Sequence, residues 1–91
     1  MSAVIDNAGK YRFELTEGGY TAIAEYRKHN EHVTIRHMEA PEELQGKGAA
    51  GRLMEGIIAM ARANKWTISP RCPYAEAWFK RHPEHHDLLS A

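Results

Sequence analysis

The sequence predicts an α+β fold in which an antiparallel β-meander is followed by a β-loop-α-β-α unit. Three observations predict it. Apolar and polar residues alternate through much of the first forty positions. Glycine then clusters behind a proline over Glu39 to Gly51, EAPEELQGKGAAG. Beyond that stretch the apolar spacing changes to three and four. The reading gives about five strands and two main helices in a single domain, residues 1–91.

The strands come first. Ala3 to Ile5 is a short apolar run, and Asp6-Asn7-Ala8-Gly9 is a turn signal. Lys10 to Leu15 alternates, with Tyr11, Phe13 and Leu15 on one face. Glu17-Gly18-Gly19 makes the next turn. Tyr20 to Arg27 alternates again and places Tyr20, Ala22, Ala24 and Tyr26 together. His32 to Met38 is β-branched and sets Val33, Ile35 and His37 on one face. Pro41 ends this ladder because it has no N–H to donate.

The helical part follows. Ala50, Leu53, Met54, Ile57, Ile58 and Ala61 form one apolar stripe, so a helix is expected at about residues 47–63. Trp66 to Ser69 reads as a short strand closed by Pro70. Pro73 suits a first helical position, which makes Cys72 the N-cap of a second helix carrying Tyr74, Ala77, Trp78 and Arg81. Pro83 stops it, and Pro83 to Ala91 reads as a polar tail. Trp66, Trp78 and the tyrosines of the meander read as core or pocket wall.

Totals bound the function. Twelve basic and twelve acidic residues give a formal charge of zero. No basic field for nucleic acid results. No apolar run approaches the roughly 20 residues of a membrane helix. One cysteine excludes an internal disulfide and fits a reducing, cytoplasmic setting. The N-terminus lacks the pattern of a secretory signal. His82, His85 and His86 lack a second ligand cluster, so no metal site is expected.

The Gly-rich stretch is the candidate binding element. Gly46, Gly48 and Gly51 let a phosphate approach the backbone. The first N–H groups of the following helix lack intrahelical partners and point outward, with the positive end of the helix dipole behind them. Such a turn suits a pyrophosphate.

The run from His37 to Leu89 resembles the small, truncated branch of the GCN5-related N-acetyltransferases. The likeness rests on His-x-Glu-x-Pro leading into the loop, on Cys72-Pro73-Tyr74, and on Arg81-His82-Pro83-Glu84. It implies a truncated form of that fold, acetyl-CoA as donor and an amine as acceptor. Gln45, Gly46, Lys47, Gly48, Ala49 and Ala50 would wrap the pyrophosphate. Met38, Glu39 and Ala40 would pair edgewise with the pantetheine arm. Glu43 stands where the wider family has Gln or Arg, so backbone donors carry the binding and Lys47 offsets the charge.

Candidate chemistry centres on three side chains. Cys72 sits beside Arg71 at a helix N-terminus, where a thiolate is favoured. It can carry the acetyl group, line the thioester pocket, or be an inert buried thiol. His37 is a candidate general base or a strand histidine with a local hydrogen bond. Tyr74 can protonate the leaving thiolate or be a core tyrosine. Arg81 can meet the CoA phosphates or tie down the tail. Two other functions compete. A non-catalytic CoA-binding or interaction module fits the short chain. Gly46-x-Gly48-x-x-Gly51 also spells a dinucleotide fingerprint, but Pro41 and two glutamates separate it from the strand, and no acidic residue follows about twenty positions on. The acceptor's identity stays open, as does the choice between monomer and homodimer.

Overall fold

A computed structural model describes residues 4–89. Ala3, Ser90 and Ala91, which belong to the expected first run and tail, lie outside the described residues. The strands are β1 (Ile5–Asn7), β2 (Arg12–Glu17), β3 (Tyr20–His29), β4 (His32–Glu39) and β5 (Thr67–Pro70). The helices are α1 (Ala49–Asn64) and α2 (Pro73–Lys80), with 3₁₀ turns at Ala8–Lys10, Glu42–Leu44 and Pro83–Leu88. The sheet has five strands in the order β1-β2-β3-β4-β5. β1 to β4 pair antiparallel. β5 pairs parallel to β4 after the α1 crossover. The expected element order is therefore observed.

The two sheet faces differ completely. Phe13, Leu15, Ala22, Ala24, Tyr26, Val33, Ile35 and Ile68 are buried in one cluster with the apolar stripe of α1 and with Ala75, Trp78 and Phe79 of α2. Residues of opposite parity, such as Thr16, Thr21, Glu25 and Arg27, are exposed. Both helices thus cover one face, and the other remains a polar surface. On that surface His32 cross-links β4 to β5, with Nδ1 2.9 Å from Thr67 Oγ1 and Nε2 3.0 Å from Ser69 Oγ.

Several boundaries differ from the sequence reading, each for a local reason. β1 extends through Asn7, and the turn comes after it, because Asp6 and Asn7 pair with Phe13 and Arg12. Tyr11 is not on the core face with Phe13. Its φ of 56° is left-handed, so the chain turns there and the ring is exposed. Tyr20 ends the hairpin and is exposed as well. α1 begins at Ala49 instead of residue 47, since Gly48 takes the left-handed cap position at φ 79°. Ala77 is exposed, and Ala75 replaces it on the buried face of α2.

The expected polar tail is a latch. His82 stacks on Trp78 with ring centroids 3.9 Å apart, and its Nδ1 is 2.7 Å from the Trp78 carbonyl. His86 Nε2 lies 2.6 Å from the Phe79 carbonyl. Arg62 of α1 donates to both carboxylate oxygens of Asp87, at 2.9 and 3.1 Å. Leu89 adds a parallel bridge to Ile68.

Candidate functional site

The site is built where β4 gives way to the Gly-rich loop. β5 pairs with β4 only from His32 to Ile35. One further bond, Arg71 N–H to the Ile35 carbonyl at 2.8 Å, ends the ladder. Pro70 then sends the chain into α2. The β4 backbone from Arg36 to Glu39 keeps a free edge on that side, which is where an extended ligand can pair.

The loop is pinned in shape. Gln45 Nε2 donates to the Ala40 carbonyl at 3.1 Å, and Leu44, Gln45 and Lys47 amides close turns onto Pro41, Glu42 and Leu44. Gly46 and Gly48 have φ of 76° and 79°, values that cost any residue with a Cβ. Among the described residues, no hydrogen bond is made by the amides of Gly46, Gly48, Ala49, Ala50 and Gly51. They form a run of free donors at the start of α1, the arrangement that favours an anion.

Two clefts meet this loop. The first has a volume of about 320 Å³ and is lined by Ile23, Met38, Glu39, Ala40, Gln45, Ala50, Leu53 and Tyr74. The second, of about 230 Å³, runs along the loop from Ala40 and Gln45 to Gly51. Tyr74 and Ala50 line both. The Tyr74 hydroxyl lies against Gly51, 3.8 Å from where a Cβ there would stand. Met38, Glu39, Ala40, Gln45, Gly46, Gly48, Ala49 and Ala50 are therefore brought together with Tyr74.

Other candidates are placed elsewhere. The face expected of His37 is corrected. Tyr26 pairs with Ile35 but Glu25 pairs with His37, so Arg36 is an extra residue in β4. This β-bulge reverses the parity of everything after it. Met38 turns inward opposite Ala24, and His37 turns outward beside Glu25, away from Val33 and Ile35. Arg81 stands at the C-terminal end of α2, about 10 Å along the axis from Tyr74, and lines neither cleft. Lys47 faces a separate groove of about 520 Å³ with Glu17, Glu43 and Arg52.

Cys72 is the N-cap of α2, as the Pro73 signal predicts. Its Sγ accepts the Ala75 amide at 3.4 Å. The residue is 5% exposed and lines neither cleft. The resulting surroundings are those of a buried cap.

Ion pairs brace this end of the molecule. Arg52, in the first turns of α1, holds Glu17 at the end of β2, and this hydrogen bond lowers the carboxyl's pKa. Arg12 does the same to Glu14, with help from Asn7. At the far edge Tyr26 donates to Asp6, and burial followed by that contact raises the phenol pKa. Sequence reasoning missed the Glu17–Arg52 and Gln45–Ala40 contacts, since nothing in local spacing signals them. Among the described residues, no group of three or more His, Cys, Asp or Glu is placed to hold a metal, and no helix is long and apolar enough to cross a membrane.

The fold has a counterpart in the solution structure of a GCN5-like protein from Staphylococcus aureus, with a TM-score of 0.71, 24% identity, and coverage of 91% of this chain and 84% of the other. No curated protein matches the sequence. The family model described as GCN5-related N-acetyl-transferase matches residues 12–88, most of the chain and all of the elements that build the loop and clefts. The chain is thus a small member of the GCN5-related N-acetyltransferase family.

Proposed function

We propose that the protein is an acetyl-CoA-dependent N-acetyltransferase built as one domain, residues 1–91. The observation that carries this reading is the junction of free loop amides with a free strand edge. The unbonded amides of Gly46, Gly48, Ala49, Ala50 and Gly51 supply donors for a pyrophosphate. The backbone of Met38 and Glu39, paired with β3 but free on its β5 side, supplies a ladder that leads through Ala40 for the amide-rich pantetheine arm. The cleft lined by Met38, Ala50, Leu53 and Tyr74 gives that arm an apolar wall. The residues present fit the group, and Gly46 leaves its surroundings open where a side chain would intrude.

Acetyl-CoA, when bound, would supply an acyl thioester: its carbonyl carbon bonds to the neutral acceptor nitrogen as the C–S bond breaks, the nitrogen gives up a proton to solvent, and the departing sulfur takes one up. Tyr74 gives a proton to the departing sulfur, a role supported by the position of its phenol in the cleft near the start of α1. Transfer is direct from donor to amine. Burial of Cys72 and its engagement with the Ala75 amide support a capping role over a covalent one. His37 faces the other side of the sheet and takes no part in the thioester cleft.

The test is a calorimetric titration of the protein with acetyl-CoA, with NAD as control. Saturable binding of acetyl-CoA alone is the expected result. NAD binding without acetyl-CoA binding would overturn it.

A further inference from the structure

We propose that the amine acceptor is held on the uncovered face of the sheet, its ammonium on Glu39 and an anionic group of the same molecule on Arg36. The inference rests on the acyl-CoA reading. It identifies the acceptor as a bipolar molecule, an amine bearing an acidic group at a distance.

The bulge in β4 makes the arrangement. Successive side chains of a strand point to opposite faces. Beyond the bulge, Met38 faces the helices and Glu39 faces outward opposite Ile23. The same few residues therefore offer their backbone to the donor and the Glu39 carboxylate to the opposite face. A groove of about 370 Å³ lies there, lined by Arg12, Thr21, Ile23, Glu39, Ala40 and Pro41. It shares Ile23, Glu39 and Ala40 with the donor cleft. Among the described residues no helix covers this face, and the β4 edge is free of β5 past Ile35, so the two sites communicate around that edge.

The charges select the ligand. Among the described residues, Glu39 has a single ion-pair partner, His37 at 3.8 Å, and both side chains are more than half exposed. Its charge is largely free. Arg12, the cation of that groove, is already held by Glu14 at 2.6 Å. An ammonium group is the matching partner. Further along β4 is a second groove, of about 290 Å³, lined by Glu25, Arg27, Arg36 and His37. Its two guanidiniums outnumber its one carboxylate. Arg27 is engaged, donating to the Tyr26 carbonyl at 2.9 Å and lying 4.7 Å over the Tyr11 ring. Arg36 makes no ion pair or side-chain hydrogen bond among the described residues. It is the free fork for a carboxylate or phosphate. Arg36 and Glu39 are about 10 Å apart along the strand.

The experiment follows backbone amide shifts of ¹⁵N-labelled protein during titration with 8-aminooctanoate, whose extended length matches that spacing of about 10 Å. Octylamine and octanoate are the single-headed comparisons, and acetyl-CoA is titrated in parallel. Shifts at Thr21, Ile23, Arg36 and Glu39, with at least threefold tighter binding of 8-aminooctanoate than of either comparison, are expected. Glu39→Gln and Arg36→Gln should each reduce that affinity to the single-headed level, with the remaining spectrum unchanged. Equal binding of all three probes, or no shift on this face while acetyl-CoA shifts the loop amides, overturns the acceptor site alone. Failure of acetyl-CoA to shift Gly46 to Gly51 instead overturns the acyl-CoA reading, whatever the outer face does.

Discussion

Arg52 and Glu17 are joined by a twin hydrogen bond, Nε to Oε2 and Nη2 to Oε1, each at 2.7 Å. The pair ties the first turns of α1 to the β2–β3 hairpin, across a gap of 35 residues in sequence. It lies directly behind Gly48, whose added Cβ would stand 3.0 Å from Arg52 Nη1. The loop is thus framed by this ion pair.

This pair gives a pH dependence with a defined sign. The Arg52 hydrogen bond lowers the folded-state pKa of Glu17 below its ordinary value of 4.5. Its contribution to stability is present above that value and is lost as pH falls through the lowered one. Thermal melts of the wild type and Glu17→Gln should therefore differ at pH 6 and converge under strongly acidic conditions. The difference should shrink in high salt, because the pair is exposed. A constant difference across pH would show that Glu17 acts through packing instead.

Gly48→Ala tests the loop. A residue with a Cβ at φ 79° costs about 1–2 kcal/mol. The contact with Arg52 adds to it. We expect lower stability and a loss of acetyl-CoA affinity of at least tenfold by calorimetry. Unchanged affinity would mean that the loop shape is unimportant for binding.

Gly56→Ala tests the packing of the N-terminal segment. Helix propensity alone favours Ala over Gly by about 1 kcal/mol. Here a Cβ at Gly56 would stand 2.1 Å from Val4 Cγ2 and 2.6 Å from its Cβ. Overpacking of that kind costs about 1–3 kcal/mol, so net destabilisation is expected in urea unfolding. Val4→Gly in the same chain should recover the helix gain.

Tyr74→Phe removes a hydroxyl at the mouth of the cleft and little else, since the residue is 37% exposed. Loss of a general acid lowers kcat by about 10²-fold, with KM for acetyl-CoA nearly unchanged. Equal turnover by the variant would remove Tyr74 from the chemistry.

Cys72→Ala separates direct from covalent transfer. Turnover should be retained, with a stability loss of up to about 1 kcal/mol from the weakened cap. Cys72→Ser, which keeps a capping acceptor, should recover stability. Abolished turnover in a folded Cys72→Ala protein would establish the thiol as acyl carrier.

By itself the sequence determined what local chemistry controls. Alternation over Arg12 to Leu15 and Ala22 to Tyr26, the three-four stripe from Leu53 to Ala61, and Pro73 behind Cys72 each specify an element through its own neighbours. The glycines of the loop marked the candidate site in the same way, and the structure gathers Met38 to Ala40 with Gln45, Gly46 and Gly48 to Ala50 along the two clefts. The tertiary structure decided which faces those elements present. An extra residue at Arg36 is visible only once β3 and β4 are in register, yet it turns His37 and Glu39 onto the open face. The burial of Cys72, the pairing of Arg52 with Glu17 and the docking of His82 on Trp78 likewise depend on elements far apart in the chain. Periodicity fixes what a segment is; side-chain direction past an irregularity is fixed by the partner strand.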